Sequence, residues 1–366
     1  MSQLPSIQPL TGSYHIDDCE FLLQEVDIKP LSVAEKETRL QKGGVHYSKM
    51  VSNETPPSKT YLDTFHALVE AYADRLASEI KLLAKQLFEA KGECITLVSL
   101  ARAGTPIGAL ISRALKQYHT QHVKHFSISI VRDRGIDTAA LKHIRDAGYP
   151  AKSLVFVDGW TAKGVINKEL KAAITQWNRT SDYPIGDDLC VISDLSGDAQ
   201  WIATTDDYAI PSGVLNSTVS GLLSRTLMLD DIHGFHQCIM YRHLQEHDLS
   251  NWFINTISKR FDHVSTAINH ITPEWREARQ SAVANYIQHL MTQYDISDIN
   301  KIKPGVAEAT RVMLRRIPRL LLLRDVQSSD VAHLNVLASE KNITIIEDKN
   351  MPFAAIALIE NIKNHQ

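Results

Sequence analysis

Through the middle of the chain, short apolar runs alternate with longer stretches whose apolar positions recur at helical spacing. ECITLVSL (93–100) is a continuous apolar run of strand length, which predicts a strand buried on both faces. RAGTPIG turns the chain, and an apolar helix follows to about Tyr118. HFSISIVRD (125–133) alternates and is rich in β-branched residues, so it predicts a second strand. DTAALKHIRDAG predicts a helix over 137–147, ended by Gly148. SLVFVD predicts the third strand, GVINKELKAAITQW the helix after it, and DLCVISD (188–194) a fourth strand ending in Asp. Upstream, residues 61–91 are rich in Leu, Ala, Lys and Glu at helical spacing, and residues 1–60 read as an irregular arm around LTGSYHIDD and SNETPPSKT. Downstream, residues 217–295 read as helical. KPGVAEATRVMLRRIPRLLLLRD then predicts a helix, a proline break and a buried strand. SSDVAHLNVLASEKN predicts a helix capped by Ser328 or Ser329, ITIIED a strand, and MPFAAIALIENI a final helix.

This alternation predicts an α/β fold: a doubly wound, mostly parallel sheet, a helical extension and a small carboxyl-terminal α/β/α module. The expected division is an arm at 1–60, the sheet domain at 61–230, a helical connector at 231–298 and the module at 299–366. With 366 residues, 44% hydrophobic and 22% charged, the chain is long enough for such an arrangement. A net charge of −3 argues against a protein that coats nucleic acid over its whole surface. No apolar run reaches about 18 residues, so no membrane span is expected. The amino terminus lacks a signal-peptide pattern, and the four cysteines show no metal or disulfide spacing. A reducing, cytoplasmic setting is the expectation.

In a parallel sheet ligands bind beyond the carboxyl ends of the strands. Those ends read LARAGT, VRDRG, DGWTAKG and DLSG, and all carry Gly with charged or hydroxyl residues. In DGWTAKG, Asp158 ends the strand, Thr161 offers a hydroxyl, and Gly159 and Gly164 permit close backbone approach before a helix amino terminus, the arrangement of a phosphate cradle. The spacing matches neither a P-loop nor a G-x-G-x-x-G dinucleotide fingerprint.

VFVDGWTAKG resembles the ribose-5-phosphate loop of type I phosphoribosyltransferases, and LARAGTPIG looks like the earlier loop of that family that holds the pyrophosphate of phosphoribosyl pyrophosphate (PRPP). Over nearly the whole chain, LTGSY, GGVHYSKM, SLARAGTPIG, ISIVRDRGID, VDGWTAKG, ISDLSG and IPSGVLNSTVSGL resemble a bacterial family encoded near tellurite-resistance (Ter) operons. Its members combine a phosphoribosyltransferase-like domain with a Pelota-like RNA-binding domain and are also labelled StiP cysteine proteases. The segment KPGVAEATRVMLRRIP…MPFAAIALI is similar to the Pelota-like module.

The resemblance implies a PRPP-dependent transferase acting on a base-like acceptor in a stress response. Ala101, Arg102, Ala103 and Gly104 would face the pyrophosphate. Gly159, Trp160, Thr161, Ala162, Lys163 and Gly164 would hold the 5-phosphate, and Asp158 the ribose or Mg²⁺. Mg²⁺ is expected to arrive bound through PRPP, because it retains its waters and needs few protein ligands; no dedicated protein metal site is expected. Arg102, Arg132 and Arg134 are the cations expected at the leaving group, since a guanidinium fork matches phosphate oxygens; Arg132-Asp133-Arg134 is otherwise a solvated turn. Two departures stand out. The family's second acid is Gly159 here, and the segment after VRDRG runs into a helix where many members carry a long catalytic loop.

Asp194, Ser196 and Gly197, with Ser212, Gly213 and Asn216, are candidates for the substrate side, whereas Ser217 or Thr218 reads better as a helix cap. His46 and Tyr47 either pack the arm on the core or reach the site. Between Asn300 and Gln366, ten lysines and arginines face seven carboxylates, leaving +3. Arg311, Arg315 and Arg319 fall at i, i+4 and i+8, a stripe suited to an RNA backbone, with Arg316, Lys303 and Gly305 beside it. The partners expected are PRPP, a base-like small molecule and RNA, and a homodimer is compatible with this reading. A non-catalytic PRPP or nucleotide sensor that docks RNA is the alternative. A cysteine protease is the third reading; Cys190 lies inside a predicted strand and Cys19 among acids, both unfavourable for a thiolate.

Overall fold

The computed structural model describes residues 10–31, 35, 46–117, 122–229, 233–269, 271–315 and 318–359. In chain order the main elements are β1 (Glu20–Phe21), β2 (Gln24–Glu25), α1 (Lys59–Lys91), β3 (Cys94–Leu100), α2 (Gly104–Gln117), β4 (His122–Ile128), β5 (Ile130–Val131), β6 (Gly135–Ile136), α3 (Thr138–Asp146), β7 (Leu154–Val157), β8 (Trp160–Thr161), α4 (Val165–Thr180), β9 (Leu189–Asp194) and β10 (Trp201–Thr204). After β11 (Gln237–Cys238) come α5 (Ser250–Ser258), α6 (Pro273–Gln293), β12 (Ile302–Pro304), α7 (Val306–Arg315), β13 (Leu320–Leu323), α8 (Ala332–Glu340), β14 (Ile345–Glu347) and β15 (Ala355–Leu358).

The large sheet is parallel, in the order β1-β4-β3-β7-β9-β10, with β8 paired to β9. Its strands are continuous apolar runs because both faces are covered. Ile95, Leu97, Val155, Val157, Cys190 and Ile192 face α1 and α2. Val98, Leu100, Phe156 and Val191 face α3 and α4. The neighbours β3 and β7 therefore send their following helices to opposite faces. A crevice opens between their carboxyl ends, the switch point at which open α/β sheets bind ligands.

Three sequence expectations change. The run at 125–133 is broken: β4 ends at Ile128, and Ile130–Ile136 folds back as a hairpin around Asp133, which sits at φ 62°. The 217–295 region is less helical than its periodicity suggests. Among the described residues its α-helices are α5 and α6, and the Lys81 ammonium donates to the Phe261 and Val264 carbonyls at 2.7 Å each, holding a non-helical stretch between them. The expected last helix is instead β15, which pairs antiparallel with both β12 and β13 in a sheet ordered β12-β15-β13-β14. Alanine-rich FAAIAL has helix propensity, but a strand central to a covered sheet also demands an unbroken apolar run, and tertiary context decides. Among the described residues, no helix is long and apolar enough to cross a membrane.

The carboxyl-terminal sheet unit is docked on the first domain. The half-buried Asp207 carboxylate accepts from the Val306 and Ala354 N–H groups at 2.7 Å each, so it caps α7 from across the interface. The Lys163 ammonium donates to the Ile299 and Ile302 carbonyls at 2.8 Å, and the Tyr72 hydroxyl donates to Asp330 at 2.6 Å.

Candidate functional site

Ala101, Arg102, Ala103 and Gly104 form the turn from β3 into α2, and the peptide joining Ala101 to Arg102 is cis. Gly104 lies on the end of β7: a Cβ there would stand 2.1 Å from the Val157 carbonyl oxygen and 3.1 Å from the Asp158 Cα. No residue but glycine fits, and this contact brings the turn against the strand end that carries Asp158.

Asp158 is half-buried, and its Oδ1 accepts from the Gly159 N–H at 2.8 Å. Burial pushes its carboxyl up to about 7, against that hydrogen bond and the Arg311 guanidinium, which both favour the charged form. Gly159 itself is not required by the fold. A Cβ there would meet only the Ala103 carbonyl oxygen at 3.5 Å, an ordinary contact. A β-carbon is therefore tolerated at the position where the sequence lacks the second acid.

The remaining cradle residues divide their roles. Trp160 packs its ring where a Cβ on Gly213 would come within 2.7 Å, and Ala162 packs on the core of the carboxyl-terminal unit. Thr161 is buried with its hydroxyl 3.3 Å from that of Ser196. Lys163 seats the carboxyl-terminal unit through the two carbonyls named above. Burial and the nearby Lys303 push its ammonium down to about 8. Gly164, at φ 67°, opens α4, and the Asp198 carboxylate lies where its Cβ would be. An internal anion thus already stands at this helix terminus. Trp160, Ala162 and Lys163 accordingly face the domain interface rather than an open phosphate pocket.

Arg102 is directed to a carboxylate from the arm. Its guanidinium donates to Glu54 Oε1 at 3.2 Å and to the Leu223 carbonyl at 2.9 Å. The Ser217 hydroxyl donates to Glu54 Oε2 at 2.7 Å, and Arg315 of α7 comes within 3.9 Å of Oε1. Burial opposes ionisation of Glu54, but Arg102, Ser217 and Arg315 together hold its carboxyl below the usual range. The Tyr61 hydroxyl, beside this group, donates to the Val214 carbonyl. Ser217 does not cap an α-helix; it begins a 3-10 turn that ends at Val219.

Several expected substrate and RNA contacts are elsewhere. Asp194 is buried and saturated: Oδ1 accepts from the Ser196 and Gly197 N–H groups at 2.8 Å each and from the Ser196 hydroxyl at 2.9 Å, while Oδ2 accepts from Ala199 at 2.9 Å. It builds a turn, and α6 covers that turn, since a Cβ on Gly197 would stand 2.8 Å from the Arg276 carbonyl oxygen. Gly213 lies against Ala307 of α7, and Asn216 precedes the turn at Ser217; the Ser212 hydroxyl is buried with no hydrogen-bond partner among the described residues. Arg132 and Arg134 stand exposed at the hairpin tip beyond β4.

The arginine stripe is divided. Arg311 pairs with Glu308 at 3.4 Å, Arg315 turns to Glu54, and Arg319 lies beyond the end of α7, donating to the Tyr294 carbonyl at 3.1 Å. Lys303 pairs with Glu308 at 3.4 Å. Gly305, at φ 98°, is buried against Leu195 and Asp207 of the first domain, so it faces protein. Arg316 lies outside the described residues. His46 shares a hydrogen bond with Ser48 at 2.8 Å. Tyr47 stands in a short 3-10 turn, Tyr47–Lys49, and its side chain lies outside the described set.

Glu54 had no signal in the sequence beyond its place in a polar, turn-forming stretch. Asp207 was equally silent, because a helix cap supplied by another domain leaves no local pattern. Of the cysteines, Cys19, Cys190 and Cys238 are buried, and burial raises all three thiols, that of Cys238 to about 12. Cys94 is half-buried at the amino end of β3, in register with His122 of β4 and at the opposite sheet edge from Asp158.

A family model described as "Tellurite-like stress resistance cysteine protease StiP" matches residues 12–258, and one described as "PELOTA RNA binding domain" matches residues 281–361. Similar solved structures include a hypoxanthine-guanine phosphoribosyltransferase from Bacillus anthracis, 15% identical over 37% of this chain and 80% of that one, with a TM-score of 0.27. Another is the hypoxanthine phosphoribosyltransferase from Trypanosoma cruzi in complex with the product IMP, 13% identical over 49% and 93%, with a TM-score of 0.29. Likenesses of that size identify neither activity nor ligand. A curated relative from Acinetobacter baylyi, "Cysteine protease StiP", is 40% identical over 97% of this chain and 95% of its own length. With one family model over most of its length and a relative matched end to end, the chain belongs to the StiP family and carries a PELOTA RNA-binding domain at its carboxyl end.

Proposed function

We propose that the crevice between β3 and β7 binds PRPP and transfers its ribose 5-phosphate to a base-like acceptor, while the carboxyl-terminal domain associates with RNA. The observation that carries this reading is the placement of Arg102 and Asp158 on two loops that diverge at the switch point and touch through Gly104. The diphosphate lies by Arg102 and the ribose hydroxyls by Asp158, and the 5-phosphate displaces the Asp198 carboxylate from the amino terminus of α4. The acceptor's lone pair forms a bond to C1 as the C1–O bond breaks. Diphosphate leaves with that electron pair, and the acceptor's proton passes to solvent. Positioning and stabilisation of the leaving anion supply the acceleration.

Magnesium suits this chemistry as an ion carried by the diphosphate. Among the described residues no three carboxylates, imidazoles or thiols gather into a cage, and Asp158 is the residue that would hold the ion beside the ribose. Bound there, it would neutralise charge on the leaving group. Incubation with PRPP, Mg²⁺ and a panel of bases, read as pyrophosphate release, tests the reading. Turnover lost in Asp158→Asn and Arg102→Ala is expected. PRPP binding without release in any combination would leave the non-catalytic sensor, which the lone acid at Asp158 favours. The protease named for the curated relative would rest here on Cys94 and His122; unchanged peptide cleavage in Cys94→Ser would remove that pair.

A further inference from the structure

We propose that the anion site of the crevice is shared between the two domains: Arg315 of α7 acts with Arg102 and Ser217 on a diphosphate-class ligand, and Glu54 of the arm fills the site as an internal anion until that ligand displaces it. The inference rests on the crevice reading above and adds the residues that complete it and the group that guards it.

Three residues distant in sequence meet on the carboxylate of a fourth. Arg102 arrives from the β3–α2 turn, Ser217 from the turn after β10, Arg315 from the docked carboxyl-terminal unit and Glu54 from the arm. The Arg102 and Glu54 side chains are 14% and 17% exposed, whereas Arg315 is 39% exposed and opens the group to solvent. One guanidinium fork, a second guanidinium at 3.9 Å and a hydroxyl around one carboxylate leave an excess positive charge. That donor set suits an anion with more oxygens and more charge than a carboxylate has.

The carboxylate can leave without unfolding its segment. Glu54 lies in a stretch without regular secondary structure, and its main-chain carbonyl is held separately by the His243 imidazole at 2.8 Å. Rotation of the side chain frees Arg102, Ser217 and Arg315 together. The docking that presents Arg315 is fixed by Asp207 and Lys163, so the carboxyl-terminal domain contributes to the site as a built part of it.

Calorimetric titration of the full-length chain with inorganic pyrophosphate, and separately with PRPP and Mg²⁺, tests this. Glu54→Gln, which keeps the shape and removes the charge, is expected to bind pyrophosphate about tenfold more tightly than wild type. Arg315→Ala is expected to bind about tenfold more weakly, and to lose the same factor in the Glu54→Gln background. Arg315→Lys, which keeps the charge without the fork, carries the test if the alanine variant melts early, and it should weaken binding severalfold. Pyrophosphate affinity within twofold of wild type in both Arg315 variants, or no gain in Glu54→Gln, overturns the shared site while the crevice reading stands. No binding of either ligand to wild type or Glu54→Gln removes the crevice reading itself. An RNA oligonucleotide that loses affinity with Arg315→Ala while pyrophosphate does not would assign this arginine to RNA and also refute the proposal.

Discussion

Gly104 and Gly159 face the same crevice and should respond oppositely to one added methyl group. At Gly104 the new carbon would be 2.1 Å from the Val157 carbonyl oxygen and 3.0 Å from its carbonyl carbon. Both are backbone atoms of a strand paired on both sides, so no side-chain rotation relieves the clash. The two loops must part by about 1 Å, an overpacking cost of about 2–4 kcal/mol. For a domain of this size that lowers the melting temperature by roughly 5–10 °C. At Gly159 the methyl group would meet the Ala103 carbonyl oxygen at 3.5 Å and its Cβ at 3.9 Å, and the backbone is not left-handed. Gly159→Ala should change stability by less than about 0.5 kcal/mol. Scanning calorimetry on the pair decides the matter. A Gly104→Ala protein melting within about 1 °C of wild type, or a Gly159→Ala protein falling equally far, would refute the claim that Gly104 sets the separation of the two loops.

Three further outcomes follow from the same geometry. Gly159→Asp restores a second acid at a position where the added Cβ makes only ordinary contacts; if the missing acid limits the ribose grip, PRPP should bind about tenfold more tightly, and an unchanged dissociation constant would dismiss that explanation. The Asp158 carboxyl, raised to about 7 by burial from about 3.9 unfolded, is favoured protonated in the fold, so its cost is absent at acid pH, grows as pH rises from about 4, and is complete above about 7. Asp158→Asn should therefore stabilise the chain by about 1–3 kcal/mol at pH 8 and by almost nothing below pH 4; an equal effect at both pH values in denaturant melts would contradict the assignment. Cys19, Cys190 and Cys238 should resist alkylation in the native protein while Cys94 reacts, because burial raises the three thiols; rapid labelling of Cys190 at neutral pH, read by mass spectrometry, would contradict the burial described.

The sheet was legible because its signal is local. Apolar runs at 93–100, 153–158 and 188–194, each followed by a glycine-containing turn, needed no long-range information to be read as strands of a parallel sheet. The helix expected over MPFAAIALIENI (351–362) gives way to a strand at Ala355–Leu358 for the complementary reason: whether FAAIAL coils or extends depends on β12 and β13, which lie far from it in sequence. The site was half legible. Arg102, Gly104 and Asp158 stand at strand ends, where ligand chemistry is expected from topology alone. Glu54 was invisible because its role comes from three partners brought in by other elements. The arginine stripe was legible only as a spacing: helical periodicity says which residues share a face but not which neighbour that face meets, and Arg311 and Arg315 meet Glu308 and Glu54. Asp194 was misread for a similar reason: an acid ending a strand can bind a ligand or build the turn, and here it accepts four hydrogen bonds from its own loop.

On the proposed function, Arg102 and Asp158 form a PRPP site at the switch point. Calorimetric titration of PRPP with Mg²⁺ into the full-length chain, alongside ribose 5-phosphate alone and pyrophosphate alone, tests it most directly. Saturable binding of one PRPP per chain is expected, tighter than either fragment and lost in the Arg102→Ala and Asp158→Asn double variant. PRPP binding no tighter than that of its fragments, or unaffected by the double variant, would contradict it.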